Sequence, residues 1–568
     1  MVTEKKQAST RKRRDILMLA GVLVIILLIN FVCSLAFKRF DLTSEKRYTL
    51  SASTRKLLKE LDDVVYLKIY MQGDFNPSFT HLRNETKEIL DEFRAYSNNN
   101  VEYEFINPLE NPNKEEVDKL EKQLFDRGIM PEEVVDKGSE KTSRTLIWPG
   151  AICTYKGKES VWQIFKRQVG FEPEQSINNS IQELEYGLSN TIRKTKIIRK
   201  PEVIFLEGKG ELDTIRGADF MRSLNEYYNV TRVNIRNKLY ALKGADAIVI
   251  AQPDSAYDDK DKYIIDNFIM HGGKALWLVD PVYINRDSFN LKGFTLGFKN
   301  DLNIDDILFK YGVRLNPVLV QDLQCSQVPV NVGFKQGQPN FQLYPWFYYP
   351  LLLPSGNHPI VKNLDLIRTE FISTLDTVYA KNVRKTILLQ TSRYTKTQTT
   401  PARVSLALVK YKPKEEQYNN SYQNVACLLE GTFESVFKNR IPTAFMQDTT
   451  YGYMEQSKPT RMIVVADGDL AKNEYQRQTG MVYPLGYDIY TKTQFANKTF
   501  LLNCMNYLLD DEGLLQLRTR EVKLRLLDKK RLVTQASKWK WMNVGLPLLM
   551  VVLGGMLQFY VRRKKYSK

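Results

Sequence analysis

Two uncharged, apolar runs near the ends of the chain constrain its fold more than any other feature. The runs Ile16–Phe37 and Val544–Val561 contain no Asp, Glu, Lys or Arg. An apolar run of about 18–25 residues matches the hydrocarbon thickness of a bilayer, where a helix satisfies its own backbone hydrogen bonds. The polar majority of the chain lies between the runs. The pattern therefore predicts transmembrane helices at 16–37 and 544–561 that tether one large water-facing body.

Basic residues crowd both tails, 1–15 and 562–568. The positive-inside rule places such tails in the cytoplasm, so we expect the body on the opposite side of the membrane. A cleaved signal peptide is the alternative interpretation of the N-terminus. Its apolar region is long for a signal peptide, and Lys38 and Arg39 follow it directly, so an uncut anchor is favoured.

Charge and cysteine content exclude several classes of protein. The net charge is +17 and the pI is about 9.3, but the basic residues outside the tails are scattered among acidic ones. This distribution favours a surface that faces anionic lipid over a nucleic-acid-binding protein. The five cysteines are widely spaced and include no Cys-x-x-Cys pair, which excludes a zinc module and a disulfide scaffold. For the four cysteines outside the first apolar run, the sequence leaves two alternatives: buried free thiols, which it favours, or one disulfide.

The body is too long for one core, so at least two domains are expected. Residues 41–195 are predicted to begin with a short extended segment and a helix. Strands and helices follow in the order β-α-β-α-β-β-α, which is the thioredoxin-like arrangement. The loop after its first strand, Gln72–Phe79, lacks the cysteine pair of redox members. The sequence thus predicts a thioredoxin-like domain without redox chemistry.

Residues 201–510 alternate buried-strand runs with amphipathic helices, which indicates a doubly wound parallel sheet of the flavodoxin or amidotransferase type. The run Arg461–Ala466 and the helix after it look like the last β-α unit of that sheet. Residues 281–460 are then a long insertion. The overall fold class is α/β, with two transmembrane helices added to a two-domain body.

Motifs for catalysis are sparse. Glu207–Gly210 follows a strand but lacks the spacing of a phosphate-binding loop, and no nucleophile accompanies the three histidines. Asp467 and Asp469 end a predicted parallel strand, where such sheets bind ligands. Two carboxylates are too few for a hard cation, so a capping turn is the favoured interpretation, with no metal and no cofactor expected.

Two segments are predicted to make contacts rather than catalyse. The run Phe341–Pro350 is rich in aromatic residues, and it is either the core of the insertion or an exposed surface for a ligand or partner. The surface interpretation singles out Trp346, Tyr348 and Tyr349. The segment 511–541 has leucines at helical spacing and leads into the second apolar run, so it is a stalk or a docking helix for a membrane permease. The residues that would dock are Leu517, Arg518, Arg520 and Leu524.

Six strings, in order, carry a resemblance to a known family. They are DLTSEKRYTLS…TRKLL, PDSAYDDKDKYIIDNFIMHGGKALWLVD, KYGVRLNPVLVQD, PWFYYPLL…NHPIVKNL, VVADGDLAKN and LLDDEGLLQLRTREVKLRLLD. Together they resemble the gliding-motility-associated ABC-transporter auxiliary protein, GldG, from about residue 41 to the C-terminus. The resemblance implies a largely periplasmic subunit in the inner membrane of a Bacteroidetes-type bacterium, with separate ATPase and permease subunits. It supplies no ligand-binding residues.

The expected function is a non-enzymatic auxiliary subunit that holds an envelope ligand or partner against a permease. One alternative is a periplasmic enzyme that modifies glycans or peptides on an amidotransferase-like sheet, with a carboxylate site at Asp467 and Asp469. Another is a structural envelope tether. The sequence names neither the transported substrate nor the direction of transport.

Overall fold

A computed structural model describes the protein over 17–28, 30, 49–73, 75–110, 112–137, 142–168, 172–196, 199–286, 292–335, 337–440, 452–476, 479–510, 513, 515, 517 and 534–566. Side chains are described over the same residues except 135–137, 142–145, 565 and 566. The chain is mixed α/β, as the sequence predicts, and it divides into two units, Met1–Arg520 and Glu521–Lys568.

The sequence predicts one helix near Ser176–Arg193, but the structure has two helices there. Besides the apolar helix Leu17–Leu28, ten α-helices are described. They are α1 Ala52–Lys59, α2 Pro77–Tyr96, α3 Lys114–Asp126, α4 Pro173–Gln182, α5 Leu184–Lys196, α6 Ala218–Asn225, α7 Asp259–Met270, α8 Asp305–Tyr311, α9 Asn497–Leu509 and α10 Ala536–Tyr566. Side-chain caps fix several helix starts. Ser51 caps α1 by accepting from the backbone N–H of Thr54, and Asp258 caps α7 by accepting from Lys260 and Asp261.

The first sheet is small and mixed. Its four strands are β1 Val65–Ile69, β2 Val101–Phe105, β5 Gly150–Tyr155 and β6 Lys158–Gln163, in the order β2-β1-β5-β6. β1 pairs in parallel with β2, and the β1–β5 and β5–β6 pairs are antiparallel. A separate hairpin, β3 Glu132–Lys137 and β4 Thr142–Ile147, precedes β5. The sequence predicts one strand over Arg144–Tyr155, but in the structure Trp148 and Pro149 separate β4 from β5. The thioredoxin-like assignment of this region stays a prediction.

A ten-stranded sheet dominates the rest of the first unit. Its parallel part has the order β8-β7-β9-β10-β23 and joins the strands β7 Glu202–Glu207, β8 Asn229–Asn234, β9 Ala247–Ala251, β10 Lys274–Leu278 and β23 Thr460–Val465. All five residues of β9 are buried, because parallel strands are covered on both faces. Helix α9 contacts β10, β23 and α6, so it packs the last strand onto this core.

The insertion extends the same sheet. Strands β22 Asn424–Gly431, β19 Val383–Gln390, β16 Gln338–Pro354 and β15 Cys325–Lys335 continue from β23 in antiparallel pairs. The sequence treats 281–460 as separate from the sheet. It misses this continuation because antiparallel strands can be added at an edge without a helical crossover.

The other strands of the insertion and of the segment after β23 form short ribbons and one three-stranded sheet. They are β11 Val282–Ile284, β12 Phe294–Lys299, β13 Val313–Asn316, β14 Val318–Asp322, β18 Thr374–Thr377, β20 Thr395–Thr399, β21 Ala402–Ser405, β24 Tyr475–Gln476, β25 Met481–Val482, β26 Tyr487–Asp488 and β27 Thr493–Gln494. The short strand β17 Ile367–Arg368 instead pairs with β16 and is the tenth strand of the large sheet. β11, β12 and β21 make up the three-stranded sheet.

One helix among the described residues is long and apolar enough to cross a membrane, over Ala536–Lys564. It contains the predicted second span. The first predicted span is described only in part, as the shorter apolar helix Leu17–Leu28 and residue 30, and its other residues lie outside the described part of the chain. Two transmembrane helices therefore stay a prediction.

The cysteines within the described residues are free thiols. Cys153, Cys427 and Cys504 are buried, and Cys325 is half-buried. Burial raises the pKa of the Cys153 thiol to about 12, so this group stays protonated and unreactive at neutral pH. Cys33 lies outside the described residues.

Candidate functional site

Polar side chains gather at the carboxyl edge of the parallel strands. Gln252 follows β9, Asp280 follows β10, and Asp467 and Asp469 follow β23. These three strands are neighbours in the sheet, so the residues after them meet at one edge. In open α/β sheets this edge is the usual place for a ligand.

Gly468 allows two of the strand ends to approach closely. A Cβ atom at this position would lie 2.7 Å from Oδ2 of Asp280, which is too close for any other residue without a shift. The Gly468 backbone N–H donates to Oδ1 of Asp280 at 2.6 Å. The sequence Asp-Gly-Asp therefore wraps its backbone around the Asp280 carboxylate.

Three carboxylates converge here. Asp280, Asp467 and Asp469 each offer an oxygen within 4.8 Å of the other two. The Gln252 side-chain amide donates to both Asp280 Oδ2, at 3.2 Å, and Asp469 Oδ1, at 2.8 Å. The Asp469 backbone N–H donates to Asp467 Oδ1 at 3.0 Å. Asp467 is fully buried, and its Oδ2 atom has no hydrogen-bond partner among the described residues.

The insertion supplies the counter-charges. Arg286 lies shortly after β11 and forms ion pairs with both Asp469 and Glu370. Glu370 also accepts from Arg368 at 2.9 Å. On the sheet side, the Lys472 ammonium lies 3.2 Å from Asp469 Oδ1. The site thus combines residues from the parallel sheet with residues of the insertion, and Arg286 lies 183 positions before its partner Asp469.

The three clustered carboxyl groups differ in acidity. Burial and the neighbouring charge of Asp469 raise the pKa of Asp280 to about 7. Burial and the charge of Asp280 raise the pKa of Asp467 well above its ordinary value. Burial also opposes ionisation of Asp469, but Arg286 and Lys472 outweigh it and hold its pKa below the ordinary value. One carboxylate is therefore stably charged, whereas the other two compete for a proton.

A cleft of about 290 Å³ opens above this cluster. Asp280 and Asp469 line it, together with side chains of both charges and two aromatic rings. The other polar and aromatic lining residues are Arg216, Gln252, Asp254, Tyr283, Asn285, Arg286, Asn300, Phe371 and Lys472. This lining suits a small polar ligand that carries both donors and acceptors.

The sequence-predicted ligand residues divide into two sets. Asp467 and Asp469 come together in the cluster, but only Asp469 lines the cleft, because Asp467 is fully buried. Trp346 and Tyr348 are buried, at 1% and 0% exposure, in a small apolar core that includes Phe371. Tyr349 is half-buried and packs edge-on against Phe371. For Trp346 and Tyr348 the core interpretation is confirmed and the exposed-surface interpretation is wrong, because their rings fill the interior of the insertion. Phe341, at the start of the same run, is 61% exposed.

The predicted permease-docking residues are described only at Leu517, which is 9% exposed. Its neighbour Leu515 joins the main hydrophobic core, and the Leu515 backbone N–H donates to Asp510 Oδ2 at 2.8 Å. Arg518, Arg520 and Leu524 lie outside the described residues.

Sequence reasoning missed Asp280, Gln252, Arg286 and Glu370 as members of the site. A signal existed for Asp280, because it directly follows a predicted parallel strand, as Asp467 does. No comparable signal marks Arg286 or Glu370, which belong to irregular parts of the insertion.

Comparison with known proteins identifies the family. Residues 200–504 match the profile of the ABC-transport auxiliary family, described as an ABC-type uncharacterized transport system, and residues 44–154 match a domain of unknown function, DUF7088. The first match spans more than half of the chain, which therefore belongs to the ABC-transport auxiliary family.

Two individual proteins are also similar. An uncharacterized protein of Borreliella burgdorferi is 24% identical over 370 residues, which cover 64% of this chain and 65% of that protein. The matched region is thus less than two thirds of the relative's length. A solved structure, "mmIFT52 N-terminal domain", has 13% identity and a TM-score of 0.30, and the match covers 54% of this chain and 96% of that one.

Proposed function

We propose that this chain is a non-enzymatic, membrane-anchored auxiliary subunit of an ABC transporter complex of the gliding-motility, GldG type. Its body lies in the periplasm with both termini in the cytoplasm, and it couples an envelope ligand or partner to separate permease and ATPase subunits in the inner membrane. The thioredoxin-like region, 41–195, and the doubly wound region, 201–510, together make up this body. Nucleic acid is not among its partners, whereas membrane lipid is.

The observation that carries the proposal is the pairing of the family's region with an apolar helix. The matched region ends at 504, and Ala536–Lys564 is long and apolar enough to cross a membrane. The exposed Trp539 and Trp541 stand at its start, where aromatic side chains favour the membrane interface. One such helix anchors a protein but does not form a transport path, so a separate permease is required.

Co-purification is the direct test of this role. The full chain, tagged and extracted from its native membrane in a mild detergent, should co-purify with a permease and an ATPase. Reporter fusions after Leu61 and Leu509 should be active only with a periplasm-dependent reporter. Isolation without transporter subunits, or activity from a cytoplasm-dependent reporter, contradicts the proposal.

The segment 511–541 is the proposed contact with the permease, through Leu517, Leu524, Arg518 and Arg520. Because Leu517 is already buried, its substitution also tests packing of the body. Leu524→Glu should release the permease and leave the body folded, whereas Leu517→Glu should lower stability as well. Arg518→Glu with Arg520→Glu separates charge from apolar contact, since each basic contact near an anionic surface contributes about 1 kcal/mol. Unchanged co-purification in all of these variants would falsify the docking role.

A periplasmic enzyme is the second proposal, and one observation favours it. Asp280 has a pKa of about 7 and stands beside a second buried carboxyl group at the edge of a cleft, which is the arrangement of a general acid or base. Turnover of a glycan or peptide substrate that Asp280→Asn abolishes would support this alternative over the auxiliary role. A purely structural tether is the third possibility, and loss of the cleft's charges should then leave transport unchanged.

A further inference from the structure

We infer that the carboxylate cluster of Asp280, Asp467 and Asp469 is a calcium site. The inference goes beyond the transporter role and does not depend on it, because it concerns what the floor of the cleft holds. Three observations support it: the convergence of the oxygens, an unpaired buried atom and the balance of charge.

The convergence fits a hard divalent cation. One oxygen from each carboxylate lies within 4.8 Å of the other two. Two ligands on opposite sides of Ca²⁺ are about 4.6–5.2 Å apart, because each Ca–O distance is about 2.3–2.6 Å. Carboxylate oxygens within 4.8 Å of one another fall inside this span, so their spacing suits a single Ca²⁺ ion bound by all three residues. Opposite ligands of Mg²⁺ are only about 4.2 Å apart, so oxygens separated by up to 4.8 Å suit Ca²⁺ better than Mg²⁺.

The unpaired oxygen of Asp467 indicates that a bound cation is its partner. Asp467 is 0% exposed and its Oδ1 accepts from the Asp469 backbone, but Oδ2 has no partner among the described residues. A buried carboxylate oxygen without a partner is costly, and a bound cation removes that cost. Asp280 and Asp469 already accept hydrogen bonds, but each carboxylate oxygen has a second lone pair for a metal.

The charge balance leaves the network negative. Arg286, Lys472 and Arg368 are the bases that pair with its members. The acids connected with them by contact or by charge are Asp280, Asp467, Asp469, Glu370, Glu474 and Asp488. Acids thus outnumber bases among these described residues, and one divalent cation offsets most of the excess.

The remaining coordination positions are available to water. Asp280 and Asp469 line the cleft of about 290 Å³. A water occupies about 30 Å³, so the space holds several waters beside an ion. With three carboxylates and competing basic side chains, we expect a dissociation constant of about 10⁻⁴–10⁻³ M, as in extracytoplasmic calcium modules.

Equilibrium dialysis of the full chain in detergent against radioactive Ca²⁺ tests the inference. The wild-type chain should bind one ion, and Mg²⁺ should compete weakly. Asp467→Asn should weaken binding at least tenfold, because it removes a charged ligand but keeps the acceptor for the Asp469 backbone. Asp376→Asn is the matched control: it removes one carboxylate from an exposed pair with Arg314 and should leave binding unchanged.

Folding of the variants is checked by circular dichroism without calcium. Asn at 467 has the shape of the neutral acid, so this variant should fold. If it does not, Asp280→Asn replaces it, and the same loss of binding is expected. Failure of the wild-type chain to bind Ca²⁺ up to about 10 mM, or equal binding by Asp467→Asn, overturns the inference and leaves a proton shared by Asp467 and Asp280 as the occupant. Loss of calcium binding with intact co-purification of the permease would separate this site from the transporter role.

Discussion

The parallel and antiparallel parts of the ten-stranded sheet differ in how they encode structure. In the parallel part, β9 and most of β10 are buried, and their sequences are continuous apolar runs. In the antiparallel part, β15 is largely exposed, and β16 changes from exposed to buried along its length. The parallel strands need a cover on both faces, whereas the antiparallel strands need only one. Because β22 of the antiparallel part is also mostly buried, the contrast is sharpest between the parallel strands and the hairpin of β15 and β16. The site takes Arg286 and Glu370 from irregular parts of the insertion that lie outside these strands.

Core truncation should show the largest contrast between the two parts. Leu276→Ala in β10 removes a fully buried side chain and should lower the free energy of unfolding by about 2–5 kcal/mol. Phe341→Ala in β16 removes a ring that is 61% exposed and should change it by about 0.5 kcal/mol or less. Urea denaturation of both variants measures the difference. Equal losses would mean that the hairpin of β15 and β16 contributes as much as the parallel core.

Within the antiparallel part, the junction between the end of β22 and the residue before β19 can be broken at a glycine. Gly431 ends β22 with a φ of 146°, and a Cβ atom there would lie 2.0 Å from the backbone oxygen of Asn382. Gly431→Ala should destabilise the protein by about 3 kcal/mol, because it adds a backbone clash to the strain of the conformation. Gly356→Ala is the control: its φ is 71° but it has open space around it, so a loss of about 1–2 kcal/mol is expected. Thermal unfolding compares the two, and an equal loss would argue against the tight junction.

Removal of the arginine that joins the insertion to the edge of the parallel sheet should have an intermediate effect. Arg286→Gln leaves Glu370 and Asp469 without their shared partner. Loss of one partner from a buried ion pair costs about 3–5 kcal/mol, and because the Arg286 side chain is 29% exposed we expect about 2–3 kcal/mol. The matched control is Arg314→Gln, whose ion pair with Asp376 is exposed and should contribute under about 1 kcal/mol. If the two variants lose the same stability, the Arg286 ion pairs behave as surface contacts.

The effect that is smallest at neutral pH is a pH dependence at His358, where the insertion packs on α9. The ring lies edge-on to Tyr507, and Nδ1 accepts from the Ile360 backbone N–H at 3.4 Å. Burial lowers the pKa of His358 from 6.5 to about 4, so the unfolded chain takes up this proton at a higher pH than the folded chain does. The stability that the neutral ring provides is complete above pH 6.5 and is lost progressively between pH 6.5 and about 4.

His358→Asn should therefore show a shallower loss of stability than the wild-type chain across this pH range. The urea midpoints of both proteins at several pH values measure the difference, and His271→Asn serves as a second histidine variant for comparison. Parallel curves for the wild-type and His358→Asn chains would show that the ring does not titrate with folding.

The sequence by itself determined the parts of this protein that depend on local pattern. The apolar run at 544–561 lies within a single long helix, and the runs at 202–206, 246–251, 274–279 and 461–466 coincide with parallel strands to within a residue or two. These elements are predictable because burial on all sides demands continuous apolar residues, whatever the rest of the chain does. The aromatic run at 341–350 was ambiguous, since a buried strand and an exposed aromatic surface share the same composition.

Only the tertiary structure decided the composition of the site. Asp467 and Asp469 are two positions apart in the sequence, but their partners Asp280, Arg286 and Glu370 come from distant segments. Strand order brings Asp280 beside Asp467, because β10 and β23 pair although their sequences are far apart. The acidity of each carboxyl group follows from the burial and the neighbouring charges that this pairing creates. Such long-range neighbours leave no periodic signal in one sequence, so the fold alone could place them together.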